Sequence, residues 1–142
     1  MLLKDIMTKN IITVKPTDSL KKVGEILKEK RISGIPVVND QGDLTGIITL
    51  TDLIRMFESI HTWKQLEKRN AGLKLSEMIE QEKAQGIVRD YMTKNVLTLQ
   101  ADATLEEAMA TMFTCSVHTF PIVSDGQLVG VIGKRDLIFA CL

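Results

Sequence analysis

Residues 5–55 read DIMTKNIITVKPTDSLKKVGEILKEKRISGIPVVNDQGDLTGIITLTDLIR. The same pattern returns at residues 90–139 as DYMTKNVLTLQADATLEEAMATMFTCSVHTFPIVSDGQLVGVIGKRDLIF. The register is constant except for one residue lost at the turn after Asp40 and Asp125. About a third of the aligned positions are identical and most others exchange like for like, so the chain is an internal duplication. Two copies of one unit imply two similar subdomains related by a pseudo-two-fold axis. The clefts between them are where a small ligand would sit.

Each repeat predicts strand–helix–strand–strand–helix. Ile11–Val14 and Val96–Leu99 are short β-branched or apolar runs, expected as first strands. PTDS and ADAT follow, where Thr17, Asp18 or Ser19, and Asp102 or Thr104, can cap the next helix. That helix buries Leu20, Val23 and Leu27 in one copy. In the other it buries Leu105, Ala108, Met109, Met112 and Phe113. IPVV and FPIV are second strands, NDQGD and SDGQ are hairpin turns with Gly42 or Gly126 at positive φ, and LTGIITL and LVGVIGK are third strands. A helix starts at each repeat's end, with Asp52 or Asp136 in its first turn.

The predicted layout is repeat 1 over residues 1–57, an insert over 58–88 and repeat 2 over 89–142. The insert carries Trp63, Leu66, Leu73, Leu75, Met78 and Ile79 among many charges. It predicts one or two amphipathic helices, broken near Asn70-Ala71-Gly72, that cap the module or pack on a partner.

The 142 residues suit one domain or two halves sharing a core, and 44% are hydrophobic. Eighteen basic residues balance eighteen acidic ones, which argues against nucleic acid, as does an aromatic content of 4%. No apolar run is long enough to span a bilayer, and MLLKDIMTKN does not read as a signal peptide. Cys115 and Cys141 lack metal spacing and are expected as free thiols in a reducing compartment, the cytoplasm. His61 and His118 have no ligand or catalytic partners in the sequence. No nucleophile–base pair, metal cluster or P-loop is present, so no enzyme is expected.

Gly46-Ile47-Ile48-Thr49-Leu50-Thr51-Asp52 and Gly130-Val131-Ile132-Gly133-Lys134-Arg135-Asp136 are the parts with the most chemistry. Each runs a buried strand into a helix N-terminus, where backbone N–H groups attract phosphate. A nearby carboxylate can accept two hydrogen bonds from a ribose diol, while Thr49 and Thr51 can bond phosphate or sugar oxygens. Lys134 and Arg135 can neutralise phosphate charge. Thr and Asp are equally at home as helix caps, and spacing alone leaves both roles open.

The elements DIMTKNIITV and DYMTKNVLTL, SGIPVV and HTFPIV, GIITLTD and GVIGKRD occur twice and in order. With them the chain resembles a tandem pair of CBS domains, the cystathionine-β-synthase-type regulatory module. The resemblance covers Leu3 to Phe139 apart from the insert. It implies an α+β fold of two β-α-β-β-α repeats and clefts that bind AMP, ADP, ATP or a related adenosyl ligand, with or without magnesium. The Thr and Asp of the family's G-h-h-T-x-x-D motif, which contact phosphate and ribose, fall on Thr49 and Asp52. The base-pocket positions fall on Ile12, Thr13, Gly34, Ile35 and Pro36. In repeat 2 they fall on Leu97, Thr98, Thr119, Phe120 and Pro121. Repeat 2 departs from the pattern: Gly133 replaces Thr49, His118 and Phe120 replace Ser33 and Ile35, and Lys134-Arg135 adds charge. The two clefts are therefore expected to differ.

The resemblance also implies a homodimer, an effector protein that reads the ligand state, and no membrane insertion. Lys21, Lys22 and Lys28 on the first helix of repeat 1, against Glu106 and Glu107 on its equivalent, predict an antiparallel pairing. The alternatives are a purely structural dimerisation module and a regulatory fragment of a larger enzyme or transporter.

Overall fold

The computed structural model describes residues 1–66 and 74–142, and the side chains of residues 1–62 and 74–142. The break expected at Asn70-Ala71-Gly72 and the packing expected of Trp63 lie outside the described residues. In order, the elements are α1 (Leu3–Ile6), α2 (Leu20–Lys30), β1 (Gly34–Val38), β2 (Leu44–Thr49), α3 (Leu50–Leu66) and α4 (Leu75–Gln85). Then come α5 (Val88–Tyr91), β3 (Leu99–Gln100), α6 (Leu105–Cys115), β4 (Thr119–Ser124), β5 (Gln127–Gly133) and α7 (Lys134–Cys141). The class is α+β, with two small sheets rather than one.

Local chemistry sets the boundaries. Ser19 caps α2 by accepting from Lys22 N–H at 3.1 Å. Thr104 caps α6 in a reciprocal box, taking Glu107 N–H at 3.2 Å while the Glu107 carboxylate takes Thr104 N–H at 2.8 Å. β1 and β2 form an antiparallel hairpin, as do β4 and β5. The second hairpin is the tighter one. Asp125 (φ 52°) and Gly126 (φ 77°) are both left-handed, as a two-residue primed turn requires, which accounts for the residue lost there.

The expected first strands are corrected. Ile11–Val14 contributes only one parallel bridge, Val14 to Val37, and Val96–Leu99 pairs only at its end, through Leu99 and Gln100 against β4. Their apolar residues serve another surface: Ile11 and Ile12 wall one cleft, and Val96 and Leu97 the other. The chain crosses each cleft before it joins a sheet.

The opening segments of the two repeats are exchanged. Leu3 and Lys4 donate their N–H groups to Ala103 and Ala101 at 2.9 Å, and Thr8 pairs with Val131 in both directions. Reciprocally, Val88 and Arg89 donate to Asp18 and Pro16 at 2.9 and 2.8 Å, and Thr93 pairs with Ile47. Leu3, fully buried, lies in the core of Ala108, Met112, Phe120, Ile122, Ile132 and Leu137. Val88, also fully buried, joins Val14, Leu20, Val23, Leu27, Ile35, Val37, Ile48 and Met56. Gly46 makes one of these approaches feasible, since a Cβ there would sit 2.8 Å from the Met92 sulfur and the Thr93 carbonyl. Gly130 does the same against Met7.

The described part of the insert packs at home. α4 lies against α2 and α3 with Met78 buried, so it covers repeat 1. The Tyr91 hydroxyl donates to Glu82 at 2.6 Å and ties α4 to α5. Burial, and then that bond, pushes the Tyr91 hydroxyl up to about 12.

Candidate functional site

Exchange of the opening segments makes both clefts composite. Cleft 1, about 870 Å³, sets Ile11, Ile12, Ile32, Gly34 and Pro36 of repeat 1 opposite Gly133, Lys134, Arg135 and Asp136 of repeat 2. Cleft 2, about 460 Å³, sets Val96, Leu97, Val117 and His118 of repeat 2 opposite Thr49, Thr51, Asp52 and Arg55 of repeat 1. The apolar end of one repeat thus faces the polar helix start of the other, a crossing that the separate reading of each repeat missed. Ser33, Leu50, Thr119 and Lys134 border both clefts, and the Ser33 and Thr119 hydroxyls meet at 2.9 Å.

Strand alternation sorts the expected base-pocket residues. Gly34 and Pro36 face cleft 1, while Ile35 between them points into the core and is fully buried. Phe120 likewise belongs to the core of repeat 2, while its neighbour Thr119 borders the clefts. Ile35 and Phe120 therefore send their side chains into the cores and away from the clefts. Thr13 and Thr98 are exposed and line neither cleft, and Pro121 is buried but lines neither. Ile12, Thr49, Thr51, Asp52, Lys134, Arg135 and Asp136 do border a cleft.

The two junction carboxylates differ in how fully they are used. Asp52 is 2% exposed. Its Oδ2 accepts from Thr49 N–H at 2.8 Å and from the Thr49 hydroxyl at 3.1 Å. Its Oδ1 accepts from the Thr93 hydroxyl at 3.0 Å and faces Arg55 at 3.4 Å. Asp52 N–H in turn donates to the Thr49 hydroxyl at 3.3 Å, so the residue closes the start of α3. Asp136 accepts only Gly133 N–H, at 2.8 Å, among the described residues. Its other oxygen has no partner among the described residues: Thr8 stands where Thr93 stands but does not bond it, and Phe139 stands where Arg55 stands. Arg135 stacks its guanidinium over Phe139, 5.6 Å from the ring centroid.

Among the described residues, no three His, Cys, Asp or Glu side chains converge to hold a metal. Cys115 and Cys141 are free and exposed. No described helix is long and apolar enough to cross a membrane.

The family model of the CBS domain matches twice, over residues 3–59 and 88–142, and these matches bracket both clefts. The chain belongs to the CBS domain family. As a CBS pair it is 31% identical to the uncharacterized protein MJ1426 of Methanocaldococcus jannaschii, covering 100% of this chain and 92% of that one. It is 30% identical to an inosine-5'-monophosphate dehydrogenase of the same organism but spans only 22% of that enzyme. Among solved structures it resembles CBSX2 in complex with AMP, with 25% identity, a TM-score of 0.74 and coverage of 99% and 95% of the two chains. The CBS domain pair of protein MJ0100, at 24% identity and a TM-score of 0.76, shares the fold over 99% of this chain and 95% of its own.

Proposed function

We propose that this CBS pair is a non-catalytic regulatory module that binds an adenine nucleotide in cleft 1 and signals its occupancy to a partner protein. The observation that carries this is the composite cleft. An apolar wall of Ile11, Ile12 and Ile32 suits a purine face, and the opposite wall supplies Asp136 with an unused oxygen. Lys134 and Arg135 beside it suit a phosphate. The resemblance to CBSX2, whose structure holds AMP, supports the ligand class. A ligand that touches both repeats favours one angle between them, which is how occupancy would reach a partner. Magnesium, where it takes part, would arrive with the phosphates, since no preformed metal cluster is present among the described residues.

A thermal-shift series with AMP, ADP, ATP, adenosine and S-adenosylmethionine tests this. Phosphate-bearing adenosyl ligands should raise the melting temperature more than adenosine does. A flat response to every compound would remove the ligand.

A second reading, a dimerisation module without ligand, is favoured by a different observation. Two equivalent helices leave apolar residues exposed: Ile54 and Phe57 on α3, and Ile138 and Phe139 on α7. These support a homodimer formed through α3 and α7. The charge-based antiparallel pairing through α2 loses support, because Lys22 is paired with Asp18 of its own chain at 3.2 Å and Lys28 lines cleft 1. Light scattering of Ile54→Glu beside the parent chain would test the dimer, which should fall to monomer.

A further inference from the structure

Resting on the nucleotide reading of cleft 1, we infer that this cleft selects for phosphate-chain length and prefers a nucleoside triphosphate to a monophosphate. Its lining carries Lys28, Lys30 and Arg31 from the end of α2, and Lys134 and Arg135 from the start of α7. Asp136 is its sole lining carboxylate among the described residues. Five cations against one carboxylate leave a surplus of four positive charges. The residues related to these cations by the pseudo-two-fold axis are Phe113, Cys115, Ser116, Leu50 and Thr51, and none is charged. Apart from Lys134, which borders both clefts, charge at these positions belongs to cleft 1 and not to the repeat.

The cations fall into two groups with different tasks. Lys134 and Arg135 stand beside Asp136, where a ribose and its first phosphate would lie, and together they match the roughly two charges of a monophosphate. Lys28, Lys30 and Arg31 then remain unmatched. Among the described residues none of the three has a carboxylate within ion-pair distance. Glu25 and Glu29 share their helix but do not line the cavity. The negative end of α2 offsets only about half a charge. A longer phosphate chain supplies the missing anions, and the larger volume, about 870 Å³ against about 460 Å³, gives it room.

Titration calorimetry of AMP, ADP and ATP without magnesium tests the inference, on the parent chain and on a Lys28→Gln, Arg31→Asn double variant. Both sites are exposed, and Arg31 sits at φ 53°, where asparagine is well tolerated, so the variant should keep its melting curve. The parent should bind ATP at least about tenfold more tightly than AMP, with ADP between them. The double variant should lose that preference while holding AMP within about twofold. Raising salt should weaken ATP more than AMP. Equal affinities in the parent, or a preference that survives in the double variant, would overturn the inference and leave nucleotide binding intact. No binding of any nucleotide would overturn the functional reading and this inference with it.

Discussion

Cleft 1 and cleft 2 are built from the same duplicated elements, yet their chemistry has diverged. In cleft 2 the helix-start carboxylate, Asp52, is buried and engaged by Thr49, Thr93 and Arg55. In cleft 1 its counterpart Asp136 is half-buried and engaged once, with cations around it. Three differences set the contrast: Gly133 stands where Thr49 stands, Phe139 stands where Arg55 stands, and the Thr8 hydroxyl, unlike that of its counterpart Thr93, does not bond the carboxylate. A duplicated motif can thus become a structural clasp in one copy and a free acceptor in the other. The copy that departs from the family pattern is the one with the open acceptor.

The largest effect expected from breaking this contrast is on stability. Asp52→Ala would strip a cap from α3 and leave the Thr49 and Thr93 donors without their acceptor. It should cost about 2–4 kcal/mol in chemical denaturation. AMP affinity, corrected for the folded fraction, should stay close to that of the parent. Asp136→Ala should do the reverse. Loss of a diol acceptor is expected to weaken AMP by about ten- to hundredfold in calorimetry, with a smaller loss of stability than Asp52→Ala because only Gly133 N–H loses its acceptor.

Gly133→Thr would make cleft 1 resemble cleft 2. A Cβ at that position meets nothing closer than 3.7 Å, so the side chain has room. Its hydroxyl can cap α7 as Thr49 caps α3, for a gain of roughly 0.5 kcal/mol. AMP affinity should change by less than about threefold, because only the oxygen already bonded to Gly133 N–H would be engaged.

The smallest effect concerns the exchanged segments, where Tyr91 of one faces Glu82 and its equivalent in the other is Ile6. Folded Tyr91 holds its proton to about 12, above the ordinary value of roughly 10. Its contribution to stability is therefore complete below the unfolded value and is lost as pH rises through 10 toward 12. Tyr91→Phe should lower the melting temperature modestly at neutral pH, where the bond to Glu82 is intact, and flatten its alkaline fall.

Much of this was legible in the sequence, for physical reasons that can be named. The duplication, the apolar stripe of α2, the caps Ser19 and Thr104, and the Gly42 and Gly126 turns all rest on local chemistry, and local chemistry is written in short windows. The α6 stripe overreached at Phe113, which is 71% exposed while Ala108 and Met112 are buried. Ile11–Val14 misled because β-branched residues suit a cleft wall as well as a strand. That the Ile35 and Phe120 side chains enter the cores was not legible, because alternation along a strand sends neighbours to opposite faces, and nothing in IPVV or FPIV says which face is the cleft. The exchange of Leu3 and Val88 between cores is a long-range choice. Its traces are Gly46 and Gly130, whose missing side chains admit Met92 and Met7. Saturation of Asp52 depends on Thr93, 41 residues away, and could be seen only once the fold brought the two together.

The central claim is that the nucleotide occupies cleft 1 and rests on Asp136. A crystal structure of the chain grown with AMP tests it most directly. The prediction is AMP density in cleft 1, with the base against Ile12 and Pro36 and the ribose within hydrogen-bond distance of Asp136. Density confined to cleft 2, with the ribose on Asp52 and Thr49 or Thr93 displaced from it, would contradict the account.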